Sequence, residues 1–172
     1  MPPTRSVVVD CIKTEKEGAT QMKTVNTIMV AIDFSPYSIN AAKYAIRLAN
    51  DVDAKILLVN IYDQRHINLM NTIADRLPEF SVEKHVERQI KEREKMLTDL
   101  AKKLGYDSLK IDTTVSIGIP FKALLREIEK KKPDLLVMGI KGRSNVTDVI
   151  VGSCARKMFR RCPIPLLSIR EK

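Results

Sequence analysis

The sequence predicts an α/β fold, a parallel β-sheet carrying helices on both faces. Two observations lead there. Short apolar runs rich in valine, isoleucine and leucine recur along the chain, each bounded by polar or turn-forming residues. Between them lie longer stretches whose apolar residues repeat at helical spacing. Strands of a parallel sheet are buried on both sides, so they read as continuous apolar runs. Strand and helix signals that alternate imply βαβ units.

The elements follow in order. Residues 1–24 form a polar extension, in which "KTEKEGATQMKT" shows no period. Residues 25–172 read as a single α/β domain, and 172 residues in all suit one ordinary core. "TIMVAID" (27–33) is the first strand. Ser35 then caps a helix and Pro36 suits its first turn. Ile39, Ala42, Ala45, Ile46 and Ala49 give that helix one apolar face. "AKILLVNIY" (54–62) is the second strand, and residues 63–80 read as a loop or a short helix. The longest helix spans 81–105 and stops at Gly105. Partial alternation in "LKIDTTVSIG" (109–118) marks a strand near a sheet edge. A helix over 120–132 starts at Pro120, and "DLLVMG" (134–139) is the fourth strand. A last helix runs from Gly152 to Arg161, with cationic residues at its end, where the dipole favours them. "IPLLSIR" (164–170) is the final strand, whose prolines argue for an edge.

The formal charge of +9 raises the question of nucleic acid. The basic residues are interleaved with acids, as in "EKHVERQIKEREK", which is the pattern of a solvated helix face. Nucleic-acid binding is therefore disfavoured. No apolar run reaches the roughly 18–20 residues of a membrane helix, and "SVVV" is too short for a secretory signal. A cytoplasmic location with no membrane contact is the expectation. Cys11, Cys154 and Cys162 are odd in number. On a helix the last two would lie roughly 12 Å apart, too far to bridge. Reduced thiols fit best. With His66 and His85 the only histidines and no Cys-x-x-Cys, a zinc site is not expected.

Half of the six glycines gather in "GIKGRSNVTDVIVGS" (139–153). Gly139 and Gly142 fall just past the carboxyl end of the fourth strand, where parallel sheets bind ligands. Glycine there permits positive φ and close approach to the backbone. Gly152 and Ser153 open the last helix, whose first N–H groups and dipole suit an anion. Lys141 and Arg143 add positive charge to the same loop. The spacing G-x2-G-x9-G-S thus describes two cradles for phosphate. It is neither a Walker A loop nor the dinucleotide G-x-G-x-x-G. The residues alone leave open that these are ordinary turn and cap glycines.

"VAIDFSPYSINAAKYAIRLANDVDAKILLVNIY" and the closing stretch from "SIGIPFKALL" to "PIPLLSIR" resemble the two halves of a universal stress protein of the ATP-binding type. That family's signature is G-x2-G-x9-G-[ST], matched here by Gly139, Gly142, Gly152 and Ser153. The resemblance implies a doubly wound, Rossmann-like five-stranded sheet of order 3-2-1-4-5, with ATP across strands one and four. It implies that Ala31, Ile32 and Asp33 border the nucleoside, and that Val59 offers backbone groups to the adenine. Met138 would flank the nucleotide. Gly139, Lys141, Gly142 and Arg143, with Gly152, Ser153 and Cys154, would hold ribose and phosphates. Mg or Mn commonly accompanies the phosphates, and homodimers through the last strand (164–170) are usual. Two departures stand out. Ile140 and Lys141 occupy positions where Thr-His is frequent, and Asn60 stands where a histidine is frequent.

Turnover of ATP needs an oriented water and stabilised transition-state charge. Asp148 is the only nearby acid in the flap between the glycines, and it reads as a surface turn residue. The expectation is a regulatory, stress-response nucleotide binder. A weak ATPase or autophosphorylating enzyme is one alternative, and a partner-binding module with an empty pocket is another.

Overall fold

In the computed structural model, residues 24–75, 79–107, 110–142 and 151–170 are described. The chain order is β1 (Thr27–Ile32), α1 (Pro36–Val52), β2 (Lys55–Asp63), α2 (Gln64–Ala74), α3 (Val82–Leu104), β3 (Ile111–Gly118), α4 (Pro120–Lys131), β4 (Leu135–Gly139), α5 (Ser153–Arg161) and β5 (Leu166–Ile169). The five strands are all parallel and lie in the order β3-β2-β1-β4-β5. The expected α/β architecture and strand order both hold. β3 and β5 are the edges, as the partial alternation of the one and the prolines beside the other predict.

Period-two alternation splits each strand between two cores. Ile28, Val30, Ile32, Ile56, Leu58 and Val137 face one side, where they meet the alanines of α1 and Leu97 of α3. Met29, Leu57, Val59, Ile61, Leu136 and Met138 face the other, against Phe121, Leu124 and Ile128 of α4 and Met158 of α5. Burial on both sides explains why β1, β2 and β4 are continuous apolar runs in the sequence.

The cap at Ser35 and the stop at Gly105 are where the sequence places them. The Ser35 hydroxyl accepts the Ser38 N–H at 3.2 Å, with Pro36 in the first turn behind it. Ser81 caps α3 in the same way, and Gly105 ends it with φ 67°. The buried face of α1 is Ser38, Ala41, Ala42, Ala45, Ile46 and Ala49. Such small side chains let the helix lie close to the sheet.

The stretch after β2 resolves into α2, which has no buried residue. Its start is held by Asp63, whose carboxylate accepts the Arg65 N–H at 3.0 Å. The helix lies against α3 and the ends of β2 and β3 without burying a side chain, which is why it leaves no strong apolar period in the sequence.

Candidate functional site

A cavity of about 460 Å³ opens at the carboxyl ends of β1, β2 and β4. This is the point where the sheet order turns back, since β1 has β2 on one side and β4 on the other. Ala31, Ile32 and Asp33 come to it from β1, Val59 from β2, and Met138, Gly139, Lys141 and Gly142 from β4 and the loop beyond. Gly152, Ser153 and Cys154 arrive at the start of α5. All these predicted residues thus line one space. Arg143 and Asp148 lie outside the described residues.

The loop after β4 and the start of α5 are joined directly. The Gly152 N–H donates to the Ile140 carbonyl at 2.8 Å, and the Ile140 N–H donates to the Ile169 carbonyl at 2.9 Å. Gly152 is the N-cap of α5, and among the described residues no side chain caps that helix. Ser153, Cys154 and Ala155 of its first turn line the cavity, at the helix end where backbone N–H groups lack intrahelical partners.

Positive φ does not explain these glycines. Among the described residues, the glycines with positive φ are Gly105 and Gly118. Crowding explains them instead. A Cβ on Gly139 would stand 2.8 Å from Tyr37 Cβ, 2.9 Å from its carbonyl carbon and 3.0 Å from its carbonyl oxygen. A Cβ on Gly142 would meet Asp33 Oδ2 at 2.6 Å, and one on Gly152 would meet the Ile140 carbonyl oxygen at 3.3 Å. Gly139 thus admits the first turn of α1, and Gly142 admits the Asp33 carboxylate.

Asp33 is positioned by the turn after β1. The Ser35 N–H donates to its Oδ1 at 3.0 Å, and its own N–H donates to Ser38 Oγ at 3.3 Å. Phe34 passes through the left-handed region at φ 65°, a conformation that costs a non-glycine residue on the order of 1 kcal/mol. The turn-forming role and the place on the cavity wall therefore coexist in one residue.

A family model described as the universal stress protein family matches residues 24–170. The chain belongs to the universal stress protein family. Among its relatives is universal stress protein MJ0531 of Methanocaldococcus jannaschii, 28% identical over 144 residues, covering 84% of this chain and 81% of that one. The universal stress protein in the QAH/OAS sulfhydrylase 3' region of Thermus aquaticus is 28% identical over 144 residues, covering 84% and 98%. Among solved structures, that of MJ0577 superposes with TM-score 0.72 at 18% identity, over 87% of this chain and 98% of the other. A universal stress protein in complex with cAMP superposes with TM-score 0.57 at 24% identity, over 86% and 98%. These structures share the fold of this universal stress protein.

Within that fold, Val59 does not sit where a free backbone group would. It pairs with Ala31 on one side and Thr114 on the other, and it is 1% exposed. The β1 ladder ends at Asn60, while β2 continues beside β3 as far as Asp63. Ile61, which also lines the cavity, is the first residue past that ladder. Val59 thus lines the cavity with its backbone paired in the sheet, and the open β1 side of the strand begins two residues later, at Ile61.

Asn60 has a definite task here. Its side-chain N–H donates to the Ile32 carbonyl at 2.7 Å, and its oxygen accepts from Arg93 Nη1 of α3 at 3.2 Å. The Arg93 guanidinium lies 4.8 Å from the centre of the Tyr62 ring. The end of β1, which carries Asp33, is thereby tied to α3.

The structure adds wall residues that the glycine pattern does not reveal, chiefly Asp63, Arg65 and His66 after β2 and Pro120 and Leu124 of α4. The rule that ligands lie beyond strand carboxyl ends would have flagged Asp63 to His66 had it been applied to the second strand as well as the fourth.

Burial, and then the nearby Asp33 carboxylate, push the Cys154 thiol up to about 11. Burial raises Cys162 as well, and neither cysteine is in a disulfide. Cys154 is thus a half-buried thiol whose neutral form is favoured. At pH 8 it is expected to alkylate with iodoacetamide about a hundredfold more slowly than glutathione, because its thiolate fraction is that much smaller. Peptide mapping by mass spectrometry checks this, and comparable rates would contradict it.

Among the described residues, no helix is long and apolar enough to cross a membrane.

Proposed function

We propose that this universal stress protein binds an adenine nucleotide, ATP foremost, and works as a regulatory stress-response protein. One observation carries the reading. The loop 139–142 and the start of α5, which lie at the two ends of the glycine-marked stretch, are held against each other by the bond from Gly152 to Ile140 at the cavity wall. Backbone N–H groups and the helix dipole at such a place favour an oligophosphate. Lys141 lines the same wall and supplies a cation. The structural neighbour solved with cAMP supports a nucleotide in this fold.

In this reading the phosphates rest on Gly139 to Gly142, with Arg143 beyond, and on Gly152 to Cys154. The nucleoside lies by Ala31, Ile32, Asp33 and Met138, and the base reaches the open side of β2 near Ile61. Mg²⁺ or Mn²⁺ would accompany the phosphates, with ligands from phosphate and water. The ion would neutralise charge on the bound phosphates.

Two copies joined along β5 would complete the assembly. Among the described residues that edge strand pairs with β4 alone, and Leu166, Leu167, Ser168 and Ile169 are half-buried. Sedimentation of the full chain tests the dimer. The unpaired Cys154 and Cys162 fit a reducing, cytoplasmic setting.

Mass spectrometry of ligand released from freshly purified protein tests the nucleotide directly. Lys141→Ala is expected to weaken ATP about tenfold, as the loss of a charge-assisted contact does, and to leave adenosine nearly unchanged. Equal losses would mean that Lys141 does not touch phosphate.

A further inference from the structure

Arg65 and His66 line the cavity but belong to neither glycine cradle. They open α2, just beyond the end of β2. β1 lies between β2 and β4, so about 10 Å of sheet, two strand spacings, separates them from the Lys141 side. A ligand with its phosphates at β4 therefore puts its other end against β2.

That end is built differently from the phosphate end. Val59, Ile61, Pro120 and Leu124 give it apolar surface. Arg65 is fixed beside them by Asp63. Its Nε donates to both carboxylate oxygens at 3.1 and 2.9 Å, and Nη2 donates to Oδ2 at 2.5 Å. The Asp63 side chain is 7% exposed while that of Arg65 is 74% exposed, so the anchor is buried, and the edge-on bonds leave the faces of the guanidinium uncommitted to it. Burial pushes the Asp63 carboxyl up, but the hydrogen bonds from Arg65 outweigh it and hold the group below its ordinary value. The His66 ring sits beside Tyr62, with centroids 6.0 Å apart and planes tilted by 57°.

Asp63 already neutralises the charge of Arg65, so Arg65 is poorly suited as a second phosphate clamp. Its planar face is what remains to offer, and guanidinium planes and imidazole rings both stack on aromatic ligands. We propose that Arg65 and His66 form the wall of a nucleobase subsite that receives a purine by stacking and so sets the base preference of the cavity. The proposal rests on the nucleotide reading above and names the residues that read the base.

The test is calorimetric titration of the full chain and of Arg65→Lys and His66→Ala with ATP, UTP and inorganic tripolyphosphate. Lysine keeps the ion pair with Asp63 but has no plane to stack. Wild type is expected to bind ATP more tightly than UTP. Each variant is expected to lose about tenfold in ATP affinity, the scale of one lost stacking contact, with tripolyphosphate unchanged and the ATP–UTP gap narrowed. Equal losses for ATP and tripolyphosphate would overturn the proposal by making these residues phosphate contacts, and unaltered ATP affinity in both variants would overturn it too. Wild type binding neither ATP nor tripolyphosphate would overturn the underlying nucleotide reading together with it.

Discussion

Gly139→Ala is expected to lower the thermal unfolding midpoint by roughly 5–10 °C. The new Cβ would lie 2.8–3.0 Å from Tyr37, and two of the three atoms it meets are backbone. Rotating a side chain cannot relieve such a clash, so the first turn of α1 has to move away from β4. Overpacking of this kind costs about 1–3 kcal/mol, and in a chain of this size each kcal/mol moves the midpoint by about 2–4 °C. Val adds two methyl groups and is expected to do worse. The displaced turn also carries Ser38, which lines the cavity and accepts the Asp33 N–H. Ligand affinity should therefore fall along with stability. Differential scanning fluorimetry with and without nucleotide measures both effects, and a midpoint within 1 °C or so of wild type would show that α1 does not press on Gly139 in solution.

Gly152→Val is expected to act in the opposite proportion, with about a hundredfold loss of ATP affinity, close to 2.7 kcal/mol, and little loss of stability. A Cβ at this position lies 3.3 Å from the Ile140 oxygen and 3.5 Å from Lys141 Cα. The first methylene is nearly tolerated, but the branched methyls of valine would push the loop 140–142 away from α5 and fill the approach to the helix N-terminus. The bond from Gly152 to Ile140 that holds the cradle together would be stretched in the same step. Titration calorimetry paired with circular dichroism separates the two effects. A folded variant that binds ATP as wild type does would remove the phosphate from this place.

Much of this protein is legible before any coordinates. The central strands β1, β2 and β4 announce themselves as apolar runs because both faces of the sheet are covered. Ser35, Pro36, Gly105 and Pro120 mark helix ends because capping and the first turn are local matters of a few neighbouring residues. The strand order came through the resemblance to a family, since no local signal states which strand lies beside which. α2 was weakly legible for the same reason in reverse. It buries nothing, so it has no apolar face to write into the sequence.

The candidate site divides along similar lines. By itself the sequence determined the alternation of strands and helices, the helix ends, and a glycine spacing that marks the carboxyl edge of the sheet. These are properties of neighbouring residues, set by periodicity and backbone freedom. Tertiary structure alone decided why Gly139 must be glycine, since Tyr37 presses on it from α1, the helix that follows the neighbouring strand β1. It also decided that Asn60 links Ile32 to Arg93, and that Asp63 fixes Arg65 beside an apolar slot. Contacts between segments distant along the chain depend on which strands lie side by side, and spacing within one segment carries no record of that.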